Sequence, residues 1–315
     1  MMRKMIIAVI CVIFGGCAIM TNLKAGEDSK YLKAKNKEGA EVILDTEEIG
    51  KPMDLRDFAF SGKYYFTLEG GSKKRLNLFD GLGNYLISVG STPAESGEKE
   101  AFKFPSDMFY SVSNNVLYIL DSMARKVHIF SPDGKFLNTL YDFSYDDEEN
   151  PFYPSSFKYN QTSGFFIMID TYNHRLLETD SGENVLMTIE GTTTQDGSFE
   201  YPQAVAVDES GNYYVGAGNK IKVFSPRGEY IFSFPLKYTK SISNISDMEF
   251  WFSKYLVVTD PAGGKVLFFS LTGDLLASWT SFGAAQPFIR PFRIFIDQGE
   301  KLYIIDNGTQ QVIGF

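Results

Sequence analysis

The chain predicts an all-β protein: a six-bladed β-propeller with four-stranded blades, closed by an N-terminal strand that completes the last blade. Three observations carry this. The 315 residues are 44% hydrophobic and 15% aromatic, with 28 Phe and 18 Tyr, and such side chains suit pleated, half-buried surfaces better than helices. One pattern recurs six times, its leading positions being Pro52, Pro105, Pro154, Pro202, Ser246 and Pro291, 44 to 53 residues apart, a period close to the roughly 40–50 residues of a propeller blade. The sixth copy stops at Phe315 after its third strand, while a spare strand, Ala40 to Leu44, precedes the first copy.

In chain order, residues 1–17 read as an export signal. Arg3 and Lys4 precede an apolar run from Met5 to Phe14, then Gly15, Gly16 and Cys17, a basic start, a short apolar stretch and small residues. A bilayer span takes roughly 20 apolar residues, more than this run supplies. The stretch from Phe14 to Cys17 resembles a bacterial lipobox, which implies that Cys17 carries a lipid and becomes the first mature residue; an ordinary cleaved signal ending after Ala18 is the alternative. Cys11 and Cys17 are the only cysteines, so the mature body has no disulfide. Residues 18–38, rich in Lys, Asn, Gly and Glu, read as a flexible tether, and residues 39–315 as the propeller. The expected location is therefore the periplasmic or surface side of a bacterial membrane, with the chain held by its N-terminal lipid.

Each repeat reads as a Pro-led strand, a turn, a strand ending in Asp, a turn with Lys or Arg, a third strand and a Gly turn. The second copy shows it plainly: Phe104-Pro105-Ser106-Asp107, then Leu117 to Asp121, Arg125 to Phe130 and Ser131-Pro132-Asp133-Gly134. The first copy is the most degenerate, with Tyr64 to Thr67, Leu76 to Phe79 and Asp80-Gly81. Stacked blades bury both faces of each sheet, which accounts for runs such as Tyr118-Ile119-Leu120 that do not alternate. Pairing the spare strand with the tail leaves no open edge.

The segments Pro202 to Gly228 and Asp170 to Leu176 resemble the NHL-repeat propellers, and the likeness extends from Lys51 to Phe315. It implies a fold and little about function, because such folds host unrelated roles. Ala217 stands where the other copies have the strand-end Asp, and Glu69 lies near that slot in the first copy.

Charge removes one class of function. A net charge of −9 offers no basic excess for the phosphate neutralisation that dominates nucleic-acid binding, and Lys73, Lys74 and Arg75 read as a solvated hairpin. The recurring Asp121, Asp170, Asp260 and Asp306 read as acceptors for turn backbone. His128 and His174 are the only histidines, too few for a catalytic zinc site of the common His-rich kind, so no catalytic or metal residues are assigned. Six-bladed calcium-dependent hydrolases and lactonases offer an alternative, for which Asn160, Asn244, Asp247 and Glu249 are the candidates; calcium takes about six to eight oxygens. The run Asp146-Asp147-Glu148-Glu149 reads as a solvated loop.

Binding is the leading expectation: a non-enzymatic, monomeric scaffold engaging an envelope protein or polar ligand where the inner strands begin and loops from all blades converge. The residues near those starts are Arg56, Asp107, Lys158, Gln203, Asp247 and Arg293, a mix of both charges and an amide. Phe152, Tyr153 and Phe288 are expected to add exposed aromatic contact area.

Overall fold

A computed structural model describes residues 27–33, 35–36, 40–45, 54–90, 102–143, 151–160, 163–182, 184–191, 196–236, 245–283 and 285–315. The leader, Cys17, Asn244 and the acidic run at 146–149 lie outside the described residues.

The chain forms six four-stranded antiparallel sheets. A first strand, β1 (Glu41–Asp45), precedes them. Blade 1 holds β2 (Leu55–Phe60), β3 (Tyr65–Glu69), β4 (Arg75–Phe79) and β5 (Tyr85–Val89). Blade 2 holds β6 (Pro105–Ser111), β7 (Val116–Asp121), β8 (Lys126–Phe130) and β9 (Phe136–Asp142). Blade 3 is β10 (Pro154–Asn160), β11 (Phe165–Asp170), β12 (Arg175–Thr179) and β13 (Val185–Glu190); blade 4 is β14 (Pro202–Val207), β15 (Tyr213–Ala217), β16 (Lys220–Phe224) and β17 (Tyr230–Pro235). Blade 5 is β18 (Asp247–Trp251), β19 (Tyr255–Asp260), β20 (Lys265–Phe269) and β21 (Leu275–Trp279), followed by a small hairpin of β22 (Ser281–Phe282) and β23 (Gln286–Pro287). Blade 6 runs β24 (Pro291–Ile296), β25 (Leu302–Asp306) and β26 (Gln311–Gly314), and β1 supplies its fourth strand. The closing pair runs from Glu41 opposite Gly314 to Asp45 opposite Gln311, with a bulge between Val42 and Leu44. The predicted closure is therefore the observed one.

The sequence explains the blade geometry locally. In four blades a proline opens the inner strand, the strand position where the missing N–H costs no ladder bond. A β-bulge follows at once, between Pro105 and Asp107, Pro154 and Ser156, Pro202 and Ala204, and Pro291 and Arg293; blade 1 has the same irregularity between Leu55 and Asp57. The turn from second to third strand uses a left-handed residue, Lys74, Arg125, His174 or Gln310, each at φ of 50 to 58°. Gly264 fills that position in blade 5, where an added Cβ would sit 2.9 Å from the Phe288 carbonyl.

In every blade but blade 4, where Ala217 stands in the slot, an acid ends the second strand beside the turn. Asp121 accepts N–H bonds from Phe104 (2.8 Å) and Ala124 (3.1 Å). Asp306 does the same for Ile289, Arg290 and Gly308, at 2.8 to 2.9 Å. Glu69 takes the slot in blade 1 and pairs with Arg75 at 2.6 Å.

Six apolar clusters fill the six interfaces between neighbouring blades. Leu44 of β1 packs with Phe58, Phe79 and Tyr303 where blade 6 meets blade 1. Each fully buried large side chain contributes about 1.5–3 kcal/mol, so stability is spread around the ring. Phe152 and Phe288 belong to these clusters at 4% exposure each, which corrects their expected surface role.

The expected tether is in part structured. Residues 27–33 are helical; Leu32 is fully buried with Trp251, Trp279 and Phe315, and Tyr31 stacks on Tyr255 with ring centroids 6.4 Å apart. Asp28 pairs with Lys254 and accepts a 3.0 Å bond from the Tyr255 hydroxyl. An apolar slot between blades 5 and 6 holds this segment, a partner that composition alone does not reveal. Among the described residues no helix is long and apolar enough to cross a membrane.

Candidate functional site

In five blades the residue after the bulge, third in its inner strand, and in blade 5 the unbulged first residue of the strand, form the column Asp57, Asp107, Ser156, Ala204, Asp247 and Arg293. Three of these carboxylates clasp the next blade. Asp57 accepts the Met108 N–H at 2.7 Å, Asp107 the Phe157 N–H at 3.2 Å, and Asp247 the Ile294 N–H at 2.9 Å. Asp107 also accepts the Ser156 hydroxyl. Two cations lie among the acids. Arg293 donates to the Ser106 carbonyl at 3.0 Å and sits 3.6 Å from Asp107 and 4.0 Å from Asp247. Lys158 stands 3.0 Å from Asp247 and 3.3 Å from Glu249.

The ionisation pattern follows from these neighbours. Burial and the facing Asp107 hold the Asp57 carboxyl well above the usual Asp range, while Arg293 opposes them. Burial pushes Asp107 up, but Arg293, Lys158 and a hydrogen bond from Asp57 outweigh it and leave Asp107 below its ordinary value. Burial would lower Lys158, yet Asp247 and Glu249 hold it above the usual lysine range. Glu249 is raised by burial despite Lys158. Four acids, Asp57, Asp107, Asp247 and Glu249, thus face two cations, Lys158 and Arg293, in one largely buried network.

This network borders a cavity of about 870 Å³ that runs along the axis to the ends of the inner strands, past Ser111, Glu209 and Glu300. At the opposite, upper face, where the inner strands begin, lies a second and largely apolar cleft of about 420 Å³ over blades 2 to 4. Its floor includes Ser106, Ser155 and Thr171, and its walls Phe104, Met123, Tyr153, Tyr172 and Tyr201. Tyr172 is 72% and Tyr201 57% exposed. Two guanidiniums stack on its rim: Arg56 lies 5.3 Å from the Phe104 ring and Arg125 5.1 Å from the Tyr153 ring.

The six residues chosen from sequence divide accordingly. Asp107, Lys158, Asp247 and Arg293 meet at the axis. Arg56 does not: it bonds Asp54 through Nε at 3.0 Å and reaches the rim of the cleft. Gln203 stays outside the network, and its buried Oε1 has no hydrogen-bond partner. Asp57 was missed, although its recurrence in column with Asp107 and Asp247 was a usable signal. The cleft was also missed, apart from Tyr153, because its aromatics come from three separate repeats.

Of the calcium candidates, Asn160, Asp247 and Glu249 all line the axial cavity; Asn160 donates to Glu178 at 3.1 Å, and the Lys158 ammonium lies 3.0 Å from Asp247 and 3.3 Å from Glu249. The histidines serve local structure. His174 accepts the Tyr201 N–H at 2.9 Å. His128 contacts Phe102 and Phe136, and burial lowers its pKa below the ordinary histidine value.

No protein-family model and no curated protein matches the chain. Solved structures do match in fold. A streptogramin B lyase superposes with a TM-score of 0.63 at 9% identity, covering 87% of this chain and 96% of its own. Virginiamycin B lyase from Staphylococcus aureus gives 0.56 at 12%, covering 85% and 80%. A protein of unknown function from Bacteroides caccae gives 0.55 at 12%, covering 78% and 83%. The chain is a six-bladed β-propeller. At these identities the likeness concerns architecture alone, and the NHL family in particular is not singled out.

Proposed function

We propose that this chain is a non-enzymatic binding propeller of the bacterial cell envelope, membrane-held through Cys17, that engages a protein or polar ligand with its upper face. The observation that carries the reading is the cleft: three tyrosines and a methionine stand exposed around one apolar recess. Monomeric soluble proteins rarely leave such side chains clustered in water, and Tyr, Met and Arg are enriched in interface cores. The axial groups fit the same reading: their charges are turned on one another and on blade backbones, as structural clasps require.

Capture from an envelope extract tests it. The protein should retain a discrete partner or ligand that Tyr172→Ser with Tyr201→Ser loses and Leu82→Ser, at an exposed lower turn, keeps. Retention unchanged by the tyrosine pair, or hydrolase activity that disappears with Asp247→Asn or Glu249→Gln, would overturn the reading.

A further inference from the structure

We infer that residues 27–36 are a strap that shortens the membrane tether and keeps the edge of the ring formed by blades 5 and 6 toward the bilayer. The inference rests on the lipid attachment at Cys17 proposed above and specifies how the anchored propeller stands. Blades 2 and 3, which carry most of the upper cleft, lie across the ring from that edge.

The segment is fixed at both ends. Near its start Asp28 pairs with Lys254 and accepts the Tyr255 hydroxyl at 3.0 Å. At its end Asn36 donates through Nδ2 to the Ser281 carbonyl at 2.9 Å, and its own carbonyl accepts the Gly283 N–H at 3.1 Å. Between them Leu32 is fully buried. The second residue of each outer strand shows what the segment covers. Leu86, Leu137, Leu186 and Ile231 in blades 1 to 4 are 46–53% exposed, whereas Leu276 in blade 5 is 7% exposed and clusters with Leu32. The strap therefore lies on the outer rim of blade 5, away from the axis.

Chain length then decides orientation. Asp28 is eleven residues beyond Cys17, and an extended chain spans at most about 3.3–3.6 Å per residue, so the strap stands no more than ~40 Å from the lipid. A body of residues 39–315 has a radius of gyration of about 19 Å and so measures ~48 Å across as a sphere, and more across a flattened ring. To stand on blades 2 and 3, the ring would have to hold the strap nearly its full width above the bilayer, beyond that reach. With the strap undone, the first fixed residue is Glu41 of β1, twenty-four residues beyond Cys17. The same spacing then gives about 80–86 Å, enough for any orientation.

Energy transfer to the bilayer tests this with the full, lipidated chain in phosphatidylglycerol and phosphatidylethanolamine vesicles that carry a headgroup-linked acceptor. Cleavage before Cys17 removes Cys11 and the lipid occupies Cys17, so a single donor dye can be placed at Ser278→Cys on blade 5 or at Asn138→Cys on blade 2, both exposed. Transfer from position 278 should exceed that from position 138 at least twofold. The difference should shrink in Leu32→Asp, and also when a Gly-Ser stretch as long as the strap is inserted after Asn22, a change that leaves the strap and the ring intact. Equal transfer from the two positions, or a difference that survives both changes, would overturn the strap while the anchor stood. A chain that fails to float with the vesicles would overturn the anchor and the inference with it.

Discussion

Lys158 on blade 3 places its Nζ 3.0 Å from Oδ1 of Asp247 on blade 5, reaching across the axis past blade 4. The reach is possible because blade 4 presents only Ala204 and Ala206, both buried, in the matching column. The ammonium neutralises two acids of the blade 5 inner strand, the buried Asp247 and the half-buried Glu249. Replacing it should therefore destabilise through the acids left behind. Lys158→Met is expected to cost about 3 kcal/mol in chemical denaturation, at the low end for breaking a buried pair. Adding Glu249→Gln should recover part of that loss. Equal stability of the single variant and the parent would show that the bridge is incidental.

Asp57 and Asp107 face one another in a buried position with oppositely shifted pKa values, and this gives stability a definite pH sign. The folded Asp57 pKa lies above its ordinary 3.8, so the folded state holds a proton that the unfolded chain releases. That contribution is complete below 3.8 and is lost as pH rises through the folded value. Asp107 is shifted the other way, and its contribution is lost as pH falls. Asp57→Asn mimics the protonated form, so its stability relative to the parent should improve steadily as pH rises from acid to neutral. Denaturation midpoints across that range check this; a relative stability that worsens with pH would mean that Asp57 is the ionised member.

The blade count and the closing strand were legible in sequence because they depend on features that repeat: the leading Pro, the strand-end Asp, and a tail missing one strand. Even the Ser246 slot holds, its N–H bonding the Thr259 carbonyl at 3.1 Å. The axial column was only half legible, for a specific reason. The bulge after the first inner-strand residue breaks the period-two rule that assigns side chains to faces. In blades 1 and 4 the candidate near the strand start, Arg56 or Gln203, lies one step before the axial position, and Asp57 was passed over. In blades 2 and 6 the chosen residue fell after the bulge and reached the axis. The cleft needs three blades brought side by side, which no single repeat encodes.

The N-terminal segment should behave as part of the domain. Leu32 is fully buried among Trp251, Trp279 and Phe315, and truncating such a side chain costs about 2–5 kcal/mol when the surroundings cannot collapse. Because residues 27–33 form a small surface unit, the loss is expected to appear first as local release. Leu32→Asp should raise hydrogen exchange in residues 27–36 and alter the fluorescence of Trp251 and Trp279 before any change in global melting. An unaltered tryptophan spectrum would show that the slot between blades 5 and 6 does not need this plug.

Ring closure is the claim with the widest consequence, and the chain permits a clean trial of it. Val42 on β1 lies opposite Ile313 on β26, and directly opposed antiparallel residues have Cα atoms about 4.5–5.5 Å apart, within the reach of a disulfide. A chain starting at residue 27 contains no cysteine, so Val42→Cys with Ile313→Cys introduces a single possible pair. It should oxidise quantitatively and raise the melting temperature relative to its reduced form, because the bond joins the two ends of the ring. The converse is a chain starting at residue 46, which lacks β1. It strips the outer partner from β26, uncovers Leu302, Val312 and Ile313, and leaves an open strand edge that invites pairing with other molecules. That form should aggregate or lose its single cooperative transition, whereas the chain starting at residue 27 should melt as one unit. Failure of the cysteines to pair, together with unchanged melting on loss of β1, would mean that the ring closes by some other contact.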